Sequence, residues 1–286
     1  MEFRTDLALE RRELIGDSVP NGVKFEEKIY DKVKITRIKI ETAEGEKALG
    51  KKRGNYITLE IPPLPNVPTE NQKEIELIAN ELSSLITEQG CVLVAGLGNH
   101  NITPDAVGPK TVEFTLSTRH VMSALPDFNF RPVAAVAPGV MGQTGIETGD
   151  VIRAVCSEIG AGCVIAVDAL ASRSVKRLGC TVQISDTGIS PGSGVNNARL
   201  ELSKETLGVP VIAVGVPTVV DALTVAQDAI AVGGEAYLDK SRLGSLMVTP
   251  REIDSLILSV SRTLALAIGR ALHKDLSVSD LYFLTQ

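Results

Sequence analysis

Two aspartates stand where apolar runs give out. Asp105 follows Val92-Leu93-Val94-Ala95 across a glycine turn, Gly96-Leu97-Gly98-Asn99, and Asp168 follows Val164-Ile165-Ala166-Val167 directly. Short apolar runs bounded by turn residues read as buried strands of a parallel sheet. A carboxylate just past such a strand lies at the carboxyl edge of the sheet, where open α/β folds bind ligands. If the two strands are neighbours, both side chains can converge on one water. Close carboxylates do not both ionise easily, so one keeps a proton and the other can act as base. That suits amide hydrolysis, one group activating water and the other protonating the leaving nitrogen. Each aspartate also has a plainer reading. Asp105 would complement the dipole of a helix opening at Thr103-Pro104, with Thr103 as cap, and Asp168 would cap a following helix.

Other constellations carry less chemistry. The pair Gly96 and Gly98 lets the backbone turn and leaves room for a ligand, but the third glycine of a dinucleotide fingerprint is missing. Ser193 sits in Pro-Gly-Ser-Gly, outside the nucleophile-elbow pattern and with no histidine near it in sequence. His100 could join the aspartates on a metal, although a lone loop histidine is more often solvated. His120 reads as the cationic end of a helix. Cys91, Cys156, Cys163 and Cys180 form no CxxC pair and suggest neither a zinc site nor a disulfide framework.

The elements that must hold the aspartates follow from pattern. After a charged start, Ser18-Val19-Pro20-Asn21-Gly22 reads as a linker. Val33 and Ile35 share one face of a strand and Ile38 and Ile40 the other, a phase shift that suggests a bulge or a sheet edge. Ile57, Leu59 and Ile61 alternate and should pair with that strand, the Lys-Lys-Arg-Gly-Asn segment lying between. Ile75, Ile78, Leu82 and Leu85 have helical spacing. A helix is expected from about Pro104 to Ser123, a strand over Val133–Ala137, a helix over Glu147–Ile159 and strands over Thr181–Ile184 and Val211–Val214, the last closed by Gly215. Ser190 to Asn197 lies in a glycine-rich loop, and Gly233 to Leu246 reads as irregular. Thr249-Pro250-Arg251-Glu252 resembles a capping box opening a last helix, with Ile253, Leu256, Val260, Leu264 and Ile268 facing the sheet. Alternating strands and helices predict an α/β fold, a three-layer sandwich about a mainly parallel central sheet of the phosphorylase/hydrolase-like kind, with an N-terminal β unit. We divide the chain into an N-terminal segment, 1–21, and one α/β domain, 22–286, that includes the β unit at 22–62.

The 286 residues suffice for a full-sized core, and with 44% hydrophobic and 22% charged residues the composition is that of a folded globular protein. No apolar run reaches the roughly 20 residues of a membrane helix, and the charged N-terminus is unlike a signal peptide; a cytoplasmic location is expected. A net charge of −6 argues against non-specific nucleic-acid binding.

Several blocks together resemble the germination proteases of spore-forming bacteria, which degrade the small acid-soluble proteins that coat spore DNA. The blocks are Arg4-Thr5-Asp6-Leu7-Ala8, Gly96-Leu97-Gly98-Asn99 with Thr103 to Gly108, Val136 to Gly145, Val167 to Ala171, Pro191 to Val195, and Val248-Thr249-Pro250. The resemblance implies an atypical aspartic peptidase with Asp105 and Asp168 as catalytic carboxylates and Gly96, Gly98 and Asn99 supporting the turn. It also implies a zymogen that assembles as a homotetramer in the spore interior and removes its own N-terminal segment. Thr5 to Glu10 looks like the family's substrate site, Thr-Glu-Phe/Ile-Ala-x-Glu, cut after the acidic residue. Asp6 stands where that site has Glu, keeping the charge on a shorter arm. Self-cleavage between Asp6 and Leu7, removing residues 1–6, is the expectation; a frayed charged terminus is the plain alternative.

The hydrogenase-maturation peptidases share the glycine turn and an acidic residue at each aspartate position, but complete a metal site with a downstream histidine. Here only His273 follows Asp168, so neither a metal nor another cofactor is expected. Thr118-Arg119-His120 matches a motif of the peptidyl-tRNA hydrolases but lies much further from the glycines. The alternatives to a self-processing peptidase are therefore a metal-dependent maturation peptidase and a non-catalytic module that binds peptides through the Ser190–Asn197 loop.

Overall fold

The computed structural model describes residues 5–16, 19–64, 71–122, 130–192, 200–229 and 240–286. The first part of the chain holds helix α1 (Ala8–Leu14), strands β1 (Val23–Tyr30) and β2 (Val33–Ile40), helix α2 (Ala43–Leu49), strand β3 (Gly54–Glu60) and helix α3 (Gln72–Leu85). The middle holds β4 (Val92–Gly96), α4 (Val107–Glu113), β5 (Val133–Val136), α5 (Met141–Thr144), α6 (Thr148–Ile159), β6 (Cys163–Ser172) and β7 (Thr181–Ser185). The last part holds α7 (Lys204–Leu207), β8 (Val211–Asp221), α8 (Ala222–Ala229), α9 (Lys240–Leu243), β9 (Met247–Val248), α10 (Ile253–Leu272) and α11 (Val278–Leu284).

The strands form one sheet in the order β1-β2-β3-β7-β8-β6-β4-β5, with β9 on the far end of β8. Its centre, β8-β6-β4-β5, is parallel, because helices cross over between successive strands. The N-terminal β unit continues the same sheet through β7, which runs antiparallel to both β3 and β8. Only a short turn joins β6 to β7, too little chain for the crossover that a parallel neighbour would need.

One face is covered by α3, α4, α10 and α11, packed on Ile35, Leu59, Val94, Ile165, Val182 and Val214. The other is covered in two separate patches. Helix α6 packs with Leu93, Ala95 and Ala166 over the parallel half, and Ala8 of α1 and Leu49 of α2 pack with Ile38, Ile40 and Tyr56 over the antiparallel half. Between the two patches the sheet is left open.

This arrangement explains the phase shift in β2. The strand is neither bulged nor at an edge: it pairs in unbroken register with β1 and β3. Val33 and Ile35 join the core beneath α3, whereas Ile38 and Ile40 face α1, so each end is buried on a different side. Strand β1 itself and helix α2 were not expected. β1 buries only Val23 and so shows no apolar period, and α2 starts at the Thr42 cap inside a segment read as connection.

Other expectations need correction. The long helix from Pro104 shrinks to a single 3-10 turn, Thr103–Asp105, then α4 and a 3-10 turn at Arg119–Val121 that carries His120. Thr103 caps nothing, and Thr249 donates to the Thr218 carbonyl at 2.9 Å instead of opening a capping box. β6 does not end at Asp168, nor β8 at Gly215; the two strands run on together to Ser172 and Asp221. Helix α10 is long and apolar enough to cross a membrane by length and composition, and most of it is buried in the core against α3, α4 and α11.

Candidate functional site: two aspartates and a docked N-terminal segment

Asp105 is positioned by the turn that leaves β4. Gly96 and Gly108 touch so closely that a Cβ on Gly96 would collide with the Gly108 carbonyl, which lets α4 start directly above the strand end. Gly98 has φ +110°, and a side chain there would run into the Asp105 carbonyl. The chain therefore folds back so that the Asn99 N–H donates to the Asp105 carboxylate at 2.7 Å. The Asn99 side chain is fixed in turn, its Oδ1 accepting from the Asn101 N–H at 3.0 Å and from Gln143 Nε2 at 2.8 Å. Asp105 thus belongs to a hydrogen-bonded loop rather than to a helix cap.

Asp168 sits within β6, one position beyond the point where β4 stops: Gly96 pairs with Val167. Asp168 pairs with Gly215 of β8, and Gly215 pairs on its other side with Gln183 of β7. Asp168, Gly215 and Gln183 therefore form one row across three strands on the same face. That face is the one left open between the helical patches.

A cleft of about 1000 Å³ occupies the gap, lined by Asp105, Asp168, Gln183, Lys51, Gly98 and Asn99, and by Thr5 and Asp6 of the N-terminal segment. Asp168 is only 5% exposed and its carboxylate accepts one N–H, from Ala169 at 2.9 Å. Burial, then the neighbouring carboxylates of Asp105 and Asp6, push its pKa well above the usual aspartate range. Burial also raises the pKa of Asp105, opposed by the Asn99 N–H.

From Thr5 onward the described part of the N-terminal segment is docked, not frayed. The Asp6 N–H donates to the Ala171 carbonyl at 2.9 Å, and the Ala171 N–H donates to the Asp6 carboxylate at 2.8 Å. The Asp6 carbonyl accepts from Lys51 Nζ at 2.8 Å and from Gln183 Nε2 at 3.1 Å. Beyond it, the Leu7 N–H reaches the Thr5 hydroxyl at 3.1 Å and the Ala8 N–H reaches Gln183 Oε1 at 2.7 Å. Leu7 and Ala8 are fully buried. Glu10, 1% exposed, anchors the far end: it accepts from the N–H groups of Arg173 at 2.6 Å and Ser174 at 3.0 Å, from Arg177 Nη1 at 2.9 Å, and from the Thr5 hydroxyl. Asp6 thus lines the same cleft as the two aspartates, its carboxylate a neighbour of Asp168 and its carbonyl held by Lys51 and Gln183.

The remaining expected residues lie elsewhere. His100 is exposed, with Nδ1 at 3.4 Å from Glu113 rather than at the aspartates. His273 is buried at the end of α10, edge-on to Phe130, and burial lowers its pKa. Ser190 lines the cleft, but Ser193 and the rest of the loop to Asn197 lie outside the described residues. Sequence reasoning missed Lys51 and Gln183. Lys51 carries no local signal, because it stands in the Lys-Lys-Arg-Gly-Asn connection. Gln183 left a trace, a polar residue between Val182 and Ile184 whose neighbours face the core while it must face the other way.

With this geometry in view, comparison with known proteins is direct. The family model described as germination protease matches residues 5–233. Germination proteases of Clostridium perfringens strain ATCC 13124 and Clostridium tetani are 43% and 41% identical, covering 97% and 98% of this chain and the same shares of their own. That of Halalkalibacterium halodurans is 48% identical over 79% of this chain and 66% of its own. Among solved structures, a nickel–iron hydrogenase maturation protease from Thermococcus kodakarensis is similar at a TM-score of 0.39 and 19% identity, covering 67% of this chain and 98% of its own. The chain belongs to the germination protease family.

Proposed function

We propose that the chain is an endopeptidase that hydrolyses peptide bonds with the Asp105 and Asp168 carboxylates and first cuts itself between Asp6 and Leu7. The observation that carries this reading is the seating of that bond in the cleft both aspartates line. Asp168, the more deeply buried and flanked by two carboxylates, keeps its proton and is the general acid; Asp105 is the base. Asp105 takes a proton from water, whose oxygen attacks the Asp6 carbonyl carbon. Asp168 gives its proton to the Leu7 nitrogen as the C–N bond breaks. The products are a peptide ending in the Asp6 carboxyl group and a chain beginning at the Leu7 amine. Small acid-soluble spore proteins are the substrates of the mature enzyme in this reading, and the assembly is a homotetramer in the spore interior. Light scattering of the purified protein tests the assembly.

The deciding experiment follows the N-terminal mass of purified protein at mildly acidic pH. Wild type should lose residues 1–6. Asp105→Asn and Asp168→Asn should cleave more slowly by about 10²–10⁴-fold, the usual contribution of a positioned acid or base. Cleavage by either variant at the wild-type rate would overturn the aspartate mechanism.

A further inference from the structure

We propose that Lys51 and Gln183 are the electrophilic clamp of this peptidase, two donors that hold the carbonyl of the residue before the cut bond and stabilise the oxyanion formed on it. The inference rests on the reading that the bond between Asp6 and Leu7 is the one cleaved.

Both donors already reach the Asp6 carbonyl oxygen, from different elements: Lys51 follows α2, and Gln183 lies in the middle of β7. A carbonyl oxygen has two lone pairs, and here both are met by side chains rather than by the N–H groups a strand would supply. The orientation of the Gln183 amide is fixed by its other contact. Oε1 accepts the Ala8 N–H, so Nε2 must face the Asp6 carbonyl. The row Gln183–Gly215–Asp168 sets the clamp two strands from the buried acid, about 10 Å between backbones at the usual strand spacing. Gly215, between them, contributes no side chain, so the two longer side chains face a peptide from opposite sides. Lys51 is half-buried in the same cleft, where its charge is less screened than in water.

On attack by water the carbonyl oxygen becomes an alkoxide. Two preplaced donors, one of them cationic, bind it more strongly than the ground-state carbonyl, which lowers the barrier rather than only tightening binding. When the tetrahedral intermediate collapses, the C=O re-forms, the C–N bond breaks and the Leu7 nitrogen takes the proton of Asp168. The clamp exchanges no proton. It would act in the same way on a protein substrate whose acidic residue occupies the place of Asp6.

The test is single-turnover self-cleavage of the full chain carrying Lys51→Met or Gln183→Glu, the latter keeping an acceptor for the Ala8 N–H while losing the donor. Amide hydrogen exchange at Leu7 and Ala8 reports whether the segment stays seated. The expected result is a rate about 10²–10³-fold lower in each variant, the usual cost of one oxyanion donor, with exchange protection retained. A wild-type rate in both variants would overturn the clamp. So would slow cleavage accompanied by lost protection, since the residues would then only seat the segment. Asp168→Asn run beside them separates the two ideas: if it cleaves as wild type, the aspartate reading fails while the clamp result stands on its own. If wild type itself is not cut, both fall.

Discussion

Two carboxylates buried in neighbouring parts of this molecule have opposite surroundings. Glu10 meets two backbone N–H groups, a guanidinium and a hydroxyl, all donors to a charged carboxylate. Asp168 meets one backbone N–H and two other carboxylates. Burial alone disfavours charge at both places, so the difference comes from the partners. Glu10 is an anchor that ties α1 to the turn after β6. Asp168 is held by its pairing with Gly215 of β8 in a place where burial and neighbouring carboxylates favour its protonated form. The Arg177 that serves Glu10 makes the same point from the cationic side. Burial would lower its pKa, yet the carboxylates of Glu13 and Glu10 hold it above the usual range.

The sharpest way to break the comparison is to remove the anchor. Glu10→Ala leaves two N–H groups without their partner and takes one carboxylate from Arg177, which keeps Glu13 at 2.6 Å. Breaking a buried pair costs about 3–5 kcal/mol, and the remaining Glu13 contact argues for the lower figure. The expected outcome is release of the segment, seen as lost hydrogen-exchange protection over residues 7–14 and a slower cut between Asp6 and Leu7. Unchanged protection would show that apolar burial of Leu7 and Ala8 does the anchoring.

A substitution at the turn should cost less. Gly98→Ala places a Cβ against the Asp105 carbonyl at a backbone angle that disfavours side chains, with a strain of about 1–3 kcal/mol. The turn would relax by moving Asn99 away from the Asp105 carboxylate, so the cleavage rate should fall more than stability does. Parallel rate and melting measurements check this, and equal losses in both would assign Gly98 to folding alone.

The smallest effect has the opposite sign. Native Asp168 holds its proton to a higher pH than the unfolded chain does, so between the two pKa values the unfolded state binds fewer protons and stability falls as pH rises above about 4. The amide that Asp168→Asn puts in its place cannot ionise and escapes that loss. This variant should therefore melt higher than wild type at neutral pH, with the gap closing toward acid, while cleavage slows by about 10²–10⁴-fold. A lower melting temperature at neutral pH would mean that Asp168 is as well satisfied as Glu10, and the contrast would fail.

Much of the parallel centre was legible in the residues. Val92 to Ala95 and Val164 to Val167 are buried on both faces, and such strands show as unbroken apolar runs. The glycine turn was legible too, since few residues other than glycine tolerate its geometry. β1 and α2 were not, because one exposes nearly all its side chains and the other is a short helix that owes its place to packing under α1. The length of β6 is hidden from the sequence for a related reason. Past Asp168 the strand is held by its ladder with β8, and a partner strand leaves no mark on local sequence.

By itself the sequence determined the family and much of the strand-and-turn frame, and it singled out Asp105 and Asp168 as candidates, all on local pattern and residue type. The tertiary structure alone decided that β7 stands antiparallel beside β8, that Gln183 and Asp168 share one row, and that Lys51 reaches the Asp6 carbonyl. It also decided that Thr5 and Asp6 lie in the cleft. These are contacts between residues far apart in the chain, set by strand order and by where the helices leave the sheet open. Their energy comes from desolvation and long-range pairing, which exist only once the chain is folded.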